Sequence, residues 1–243
     1  MDQLAYDELA ALGVPSERLV VTGQPAFDVL ATWRMGFTIE QKQANRHRLG
    51  ISDEEKLVLF ASQPLGELFG WTEADPQYLG YDEFEVVHAL VAGLEEIATR
   101  RAVSITLLLR PHPRERTDWA LLLNSQKIRI LVSSAMDRRS QAIAADIVTG
   151  MNSAMLVETC YIGCPTISLQ PGLRLPDALP TNRAGLSKPV YSFSEIRTVI
   201  EQMLFDQVMY ENMRTTLKEN LLDDKATQRV VKLVYQMIFE DGR

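Results

Sequence analysis

A chain of 243 residues can bury a substantial core, in one large domain or two small ones. Its 46% apolar and 23% charged residues are those of an ordinary globular protein, and a formal net charge of −7 argues against general binding to nucleic acid or anionic membrane. No apolar run approaches the roughly 20 residues of a transmembrane helix, and the acidic start does not resemble a secretory signal. The only two cysteines, Cys160 and Cys164, read as small buried residues of a reducing compartment rather than a disulfide or zinc pair. A cytoplasmic protein with no integral membrane segment is therefore expected.

In chain order, Asp2 to Leu12 has helical spacing and stops at Gly13, with Pro15 beyond. Leu19 to Thr22 reads as a short strand, Ala26 to Trp33 as a helical turn or two, and Thr38 to Leu49 as a polar helix stopped by Gly50. Residues 1–50 have too few apolar positions for a core of their own and are expected to connect. From Lys56 the rhythm changes: Leu57 to Ala61 is a continuous apolar run, as in a strand covered on both faces. A long polar loop, Ser62 to Tyr81, precedes an amphipathic helix from Glu83 to Arg101.

Further along, Ser104 to Leu109 is a strand ending in Arg110-Pro111-His112-Pro113, Thr117 to Leu123 a helix, Ile128 to Val132 a strand and Met136 to Ala144 a helix. Asp146 to Thr149 is a strand, Ala154 to Ile162 a helix with Asn152 or Ser153 as its cap, and Thr166 to Leu169 another strand. After a Pro-rich loop, Val190-Tyr191 is a last short strand, and helices fill Ser194 to Phe205, with Ser194 as its cap, Asp206 to Leu221 and Lys225 to Phe239. Buried strands alternating with helices predict an α/β fold, a single doubly wound parallel sheet in residues 51–191, with a helical tail in residues 192–243. The last helix carries two apolar stripes, Ala226-Val230-Leu233-Met237 and Val231-Tyr235-Ile238, and so expects burial on two sides.

Ligands of such sheets sit beyond the carboxyl ends of the strands, where the strand order reverses. The chain places Ser62 and Gln63, His112, Ser133-Ser134, Asn152-Ser153 and Gln170 at those ends. The first turn of the helix after Ser153 offers free N–H groups and the positive end of a helix dipole, which favour an anion such as phosphate. Glu158, less than two turns on, could accept hydrogen bonds from sugar hydroxyls. An ordinary crossover helix with a capped start has the same spacing, and both readings stay open here. No GxGxxG or GxxxxGK[ST] loop and no GxSxG elbow occurs, which argues against a dinucleotide dehydrogenase, a P-loop enzyme and a nucleophile-elbow hydrolase. His47 and His88 fall within helices as surface or packing residues. His112 stands apart, held between two prolines, with Arg110, Arg114 and Arg116 nearby. Asp223-Asp224 reads as a cap and turn between helices, and no carboxylate pair at a strand end calls for a metal.

A resemblance joins these pieces. Val21-Thr22-Gly23-Gln24-Pro25-Ala26-Phe27-Asp28-Val29-Leu30 resembles the VTGNxxxDxL signature of non-hydrolysing UDP-N-acetylglucosamine 2-epimerases and related GT-B glycosyltransferases. Asn152-Ser153-Ala154, Glu158 and Gly163-Cys164-Pro165 resemble their SGG…E…GxP segment at matching spacing, with Asn-Ser-Ala where the epimerases have Ser-Gly-Gly. Arg110-Pro111-His112-Pro113 is similar to the HP motif of bacterial sialyl- and capsule-polymer transferases. The resemblance implies the carboxyl-terminal, nucleotide-sugar-binding half of a GT-B protein. Asn152, Ser153 and Ala154 would meet the phosphates, Glu158 the ribose hydroxyls and His112 the nucleotide, with Arg110, Ser62 and Gln63 beside them. It implies a nucleotide sugar as substrate, no further cofactor and no metal. The activity expected is glycosyl transfer in surface-polysaccharide or glycoconjugate synthesis, with an epimerase-like isomerase or a non-catalytic nucleotide-sugar-binding subunit as alternatives. The amino-terminal Rossmann-like half of such proteins, which holds the acceptor and usually the base, has no counterpart in this sequence. A truncated chain, a split enzyme whose other half is a separate polypeptide, and a binding-only derivative are the explanations it leaves open.

Overall fold

The computed structural model describes residues 3–35, 38–133, 135–219 and 224–239. Two compact units emerge, Phe37–Glu219 and a smaller one that joins Met1–Gly36 to Asn220–Arg243. This division cuts the chain at different places from the boundaries at 50 and 191 expected from sequence rhythm. Ser134, Asp223 and the expected helix ends at Asp2 and Leu221 lie outside the described residues.

In the smaller unit α1 (Gln3–Ala11) is followed by 3₁₀ turns at Ser16–Arg18 and Pro25–Phe27 and by α2 (Asp28–Met35). The strand expected at Leu19 to Thr22 does not form. The segment passes between the two 3₁₀ turns without joining a strand among the described residues, and Val20 and Val21 stay 42% and 39% exposed. β-Branched residues favour extended backbone, but a strand also needs a neighbour for its N–H and C=O groups.

The larger unit begins with α3 (Ile39–Arg48), whose cap Thr38 accepts from the Gln41 N–H through its hydroxyl at 3.3 Å. Its role is more than connection. Arg46 is buried, donating to the carbonyls of Ala144 (3.2 Å), Ser52 (2.7 Å) and Glu55 and to the Asp146 carboxylate at 3.3 Å. Lys42 reaches the same carboxylate at 2.8 Å, and Asp146 also accepts from the Leu57 N–H at 2.8 Å. A polar helix is thus fixed to the sheet unit by paired charge more than by apolar area, with Arg46 Nε and Asn45 Nδ2 left buried without a partner, and its apolar pattern is correspondingly faint.

The six strands β1 (Lys56–Ala61), β2 (Ile105–Arg110), β3 (Arg129–Val132), β4 (Ile147–Gly150), β5 (Thr166–Leu169) and β6 (Lys188–Val190) form one sheet. Every pairing is parallel, in the order β3-β2-β1-β4-β5-β6. Continuous burial of Leu57 to Ala61 and of Ile147 to Gly150 reflects helices on both faces, the usual condition of parallel sheets. The order reverses between β1 and β4, and Ala61 pairs both with Arg110 of β2 and with Gly150 of β4. Three strands therefore end level at the switch point. At Gly150 a β-carbon would stand 3.0 Å from the Ala61 carbonyl oxygen, so glycine permits this close approach.

Along the chain follow α4 (Leu65–Phe69), within the expected long loop, α5 (Glu83–Arg101), α6 (Trp119–Leu122), α7 (Arg138–Ala144), α8 (Ala154–Ile162), α9 (Pro180–Arg183), within the Pro-rich loop, α10 (Phe193–Phe205) and α11 (Gln207–Glu219). Asp82 and Glu85 form a reciprocal capping box at the start of α5. The expected Ser194 cap of α10 is not one. Ser192 holds the cap position without a side-chain cap bond, and its hydroxyl pairs with that of Ser194 at 2.8 Å. Leu90 and Leu94 of α5 and Ile196, Ile200 and Met203 of α10 pack with Phe60, Leu107 and Ile147 of the sheet in one core.

The last helix, α12 (Ala226–Phe239), belongs to the smaller unit. Its Ala226 is buried, and Val230 and Leu233 are half-buried, whereas Val231, Tyr235, Met237, Ile238 and Phe239 lie about three-fifths exposed. The first stripe is covered only from Ala226 to Leu233, its Met237 being exposed, and the second is open. Among the described residues no helix is long and apolar enough to cross a membrane.

Candidate functional site

The carboxyl ends of β1, β2 and β4 converge on a cavity of about 270 Å³. It is lined by Ser62 after β1, Arg110 and His112 at the end of β2, Arg138 of α7, and Ser153, Ala154 and Glu158 of the β4–α8 junction. A larger hollow of about 420 Å³ runs along α12 in the other unit, but its lining, Thr227, Gln228, Val231, Lys232, Tyr235 and Gln236, comes from that one helix and brings no groups together from separate elements. The smaller cavity is the one with convergent polar groups at a switch point.

Its β1 side depends on a residue that sequence reasoning missed. Glu115 accepts the Ser62 hydroxyl at 2.7 Å, the His112 backbone N–H at 2.9 Å and the Trp119 indole N–H at 2.7 Å. The carboxylate thus fixes the turn after β2 against the turn after β1, with Ser62 and Trp119 both buried. Its spacing, three after His112 and four before Trp119, is the only signal the sequence offered. His112 accepts the Arg114 N–H through Nδ1 at 3.1 Å, so the neutral ring carries its proton on Nε2 and can donate there. Arg114 and Arg116 are exposed, whereas Arg110 is held by the Met136 carbonyl at 2.8 Å and the Gln141 side-chain oxygen at 2.7 Å. Burial, and after it the charge of Arg138, hold the Arg110 guanidinium below its ordinary pKa.

Across the cavity, Ser153 rather than Asn152 caps α8, its hydroxyl accepting from the Met155 N–H at 3.2 Å. Ser153, Ala154 and Met155 all line the cavity, which brings the positive end of the α8 dipole to its wall. Asn152 and Gln63 are placed together beside the lining: the Asn152 N–H donates to the Gln63 side-chain oxygen at 3.1 Å. Glu158 faces the cavity, but both its oxygens are engaged. Arg138 donates to them from Nε at 2.6 Å and from its terminal nitrogen at 2.7 Å, and this bonding raises the guanidinium pKa. Asp137 caps α7 directly ahead of Arg138, accepting from Arg139 N at 3.1 Å and Ser140 N at 3.0 Å.

Two residues placed at strand ends by the sequence belong elsewhere. Gln170 is buried in a closed network with Tyr81, Ser168 and Asp177, the last of which also accepts from Asn182 and Tyr191. The Ser133 hydroxyl accepts from the Ala135 N–H at 3.3 Å, outside the lining. His47 and His88 are exposed on helices. Among the described residues no group of three or more His, Cys, Asp or Glu is placed to hold a metal ion.

The signature segment Val21 to Leu30 lies in the smaller unit and is occupied with α12. The Thr22 carbonyl accepts from Arg229 Nε at 2.8 Å, and Gly23, at φ +77°, lies so close to α12 that a β-carbon would stand 3.1 Å from that of Ala226.

A wholly parallel sheet in this order, with its cavity at the switch point, is a Rossmann-like α/β fold of the kind that forms one half of a GT-B protein. Solved structures similar to the chain agree. UDP-GlcNAc 2-epimerase from Neisseria meningitidis, bound to UDP-GlcNAc, matches 96% of this chain and 59% of its own at 16% identity and a TM-score of 0.62. S. aureus MnaA with UDP matches 98% and 59% at 13% identity and 0.64, and the wall teichoic acid polymerase TagF matches 100% and 58% at 14% and 0.54. This chain spans somewhat under three-fifths of each, consistent with a carboxyl-terminal half. No protein-family model matches it, and no curated protein matches it in sequence.

Proposed function

We propose that the switch-point cavity binds a nucleotide-sugar donor and that the chain is the donor half of a GT-B glycosyltransferase. The observation that carries this reading is the convergence of the α8 amino terminus, His112, Arg110, Arg138 and Glu158 on one cavity. Phosphates would lie against the first turn of α8, with His112 Nε2 donating to the nucleotide and Glu158 accepting from the ribose hydroxyls. An acceptor hydroxyl would attack the anomeric carbon of the donor, and the departing nucleotide would gain charge where the helix dipole and the arginines favour it. That scheme needs no metal and takes the base from a second Rossmann-like half. Such a half also suits the open apolar stripe of α12. Similarity to TagF supports a role in surface-polymer synthesis. Free, buried Cys160 and Cys164 suit a cytoplasmic setting.

An epimerase-like reading has its own support in the better superposition on the UDP-GlcNAc 2-epimerase structure, with a TM-score of 0.62 against 0.54 for TagF. The test is a melting-temperature screen with UDP, CDP, GDP, CMP and their sugars. A shift with one base family, abolished by Glu158→Ala, is expected. Absence of any shift in the wild-type chain overturns the site.

A further inference from the structure

Arg138 and Glu158 are paired directly in the cavity lining with unequal freedom: the Arg138 side chain is 51% exposed and that of Glu158 only 16%. We propose that Arg138 is the phosphate-recognising residue of the site and that it reaches the phosphate by leaving Glu158, so that the pair is a latch opened by a phosphoanion. This rests on the nucleotide-sugar reading and specifies how that ligand is selected. In the closed state both Glu158 oxygens accept from Arg138, and a ribose has no free carboxylate to donate to. The guanidinium fork that grips a carboxylate fits two phosphate oxygens equally well, so exchange preserves a two-pronged contact. A half-exposed ion pair is also easily given up.

The cavity contains no other cation free to make this move among the described residues that line it. Arg110 is committed to the Met136 carbonyl and to Gln141, which is itself anchored on the Ser133 carbonyl at 3.1 Å. Arg110 and Arg138 repel each other, and a phosphate placed between them and the α8 amino terminus would relieve that repulsion. Opening the latch then frees Glu158 for the vicinal hydroxyls of the ribose. Phosphate and ribose recognition are coupled as a result: a nucleoside without phosphate must break the pair and replaces nothing, whereas a nucleoside diphosphate supplies the new partner.

The experiment compares the wild-type chain with Arg138→Gln and Arg138→Lys. Calorimetry is run with the nucleoside diphosphate selected by the melting screen and with its parent nucleoside. The Arg138 Nε–H resonance is followed by NMR while inorganic pyrophosphate is added. Arg138→Gln should lower diphosphate affinity about 10-fold or more while leaving nucleoside affinity equal or higher, with Arg138→Lys in between. Pyrophosphate should move the Nε–H resonance. Equal losses for both ligands would make Arg138 a mere support for Glu158, and an unmoved resonance would exclude the exchange; either overturns the proposal. If pyrophosphate moves the resonance but no nucleotide binds, phosphate recognition by Arg138 stands and the nucleotide-sugar reading falls.

Discussion

Asp28 caps α12 from the opposite end of the chain: its carboxylate accepts the N–H of Ala226 at 3.0 Å and that of Thr227 at 2.8 Å. Helix amino termini leave such N–H groups without intrahelical partners, and here a residue of the signature segment supplies the acceptor. The bonds from Thr227 outweigh desolvation and hold the Asp28 carboxyl below its ordinary pKa. The contribution is therefore complete above the ordinary carboxyl range and lost as pH falls through the folded value. In Asp28→Ala, amide exchange should speed up across α12 while β1 and β4 stay protected, with Asp28→Asn intermediate. Unchanged exchange in residues 226–239 contradicts the cap.

Asp146 should be the main acid-sensitive joint of the sheet unit. Burial acts to raise its pKa, but Lys42, the Leu57 N–H and Arg46 outweigh it, so the carboxyl lies below its ordinary value. The folded state favours the ionised form. Its stabilisation is full above the unfolded pKa of about 3.9 and disappears as pH drops through the folded value. Asp146→Asn leaves Arg46 buried with a weaker partner and should cost about 3 kcal/mol in urea unfolding at pH 7. The variant should also lose less stability than wild type on acidification. A cost under about 1 kcal/mol would mean the pair behaves as a surface bridge.

Glu115 should control both sides of the cavity. Glu115→Ala leaves the Ser62 hydroxyl, the His112 N–H and the buried Trp119 indole without their acceptor, at about 1–3 kcal/mol for each one left unpaired. Tryptophan fluorescence should shift, and ligand affinity should fall more than in Arg116→Ala, whose side chain is exposed. Equal affinity in the two variants would remove Glu115 from the site.

The two thiols should be inert. Burial pushes Cys160 and Cys164 up to about 12, so little thiolate forms near neutral pH. A disulfide reagent at pH 8 should modify neither in the native chain and both after unfolding in denaturant. Rapid native labelling would show that the α8–β5 turn opens.

The amino-acid order alone determined the larger unit's plan. Buried strands alternating with helices can be satisfied only by a sheet covered on both faces, and α8 announced its start at Asn152 or Ser153 and its stop at Gly163. Such signals are local, carried by neighbours a few positions apart, and they placed His112 and Ser153 at strand ends and Glu158 on the helix that follows. Only the tertiary structure decided the partners. Glu115 meets Ser62 across 53 positions, Arg138 meets Glu158 across 20, and Asp28 meets Thr227 across 199. No local pattern encodes those pairings, because which charges meet depends on how the sheet stacks its loops. For the same reason Leu19 to Thr22, extended by propensity, is no strand: among the described residues no strand lies beside it, and the Thr22 carbonyl accepts from the Arg229 side chain instead.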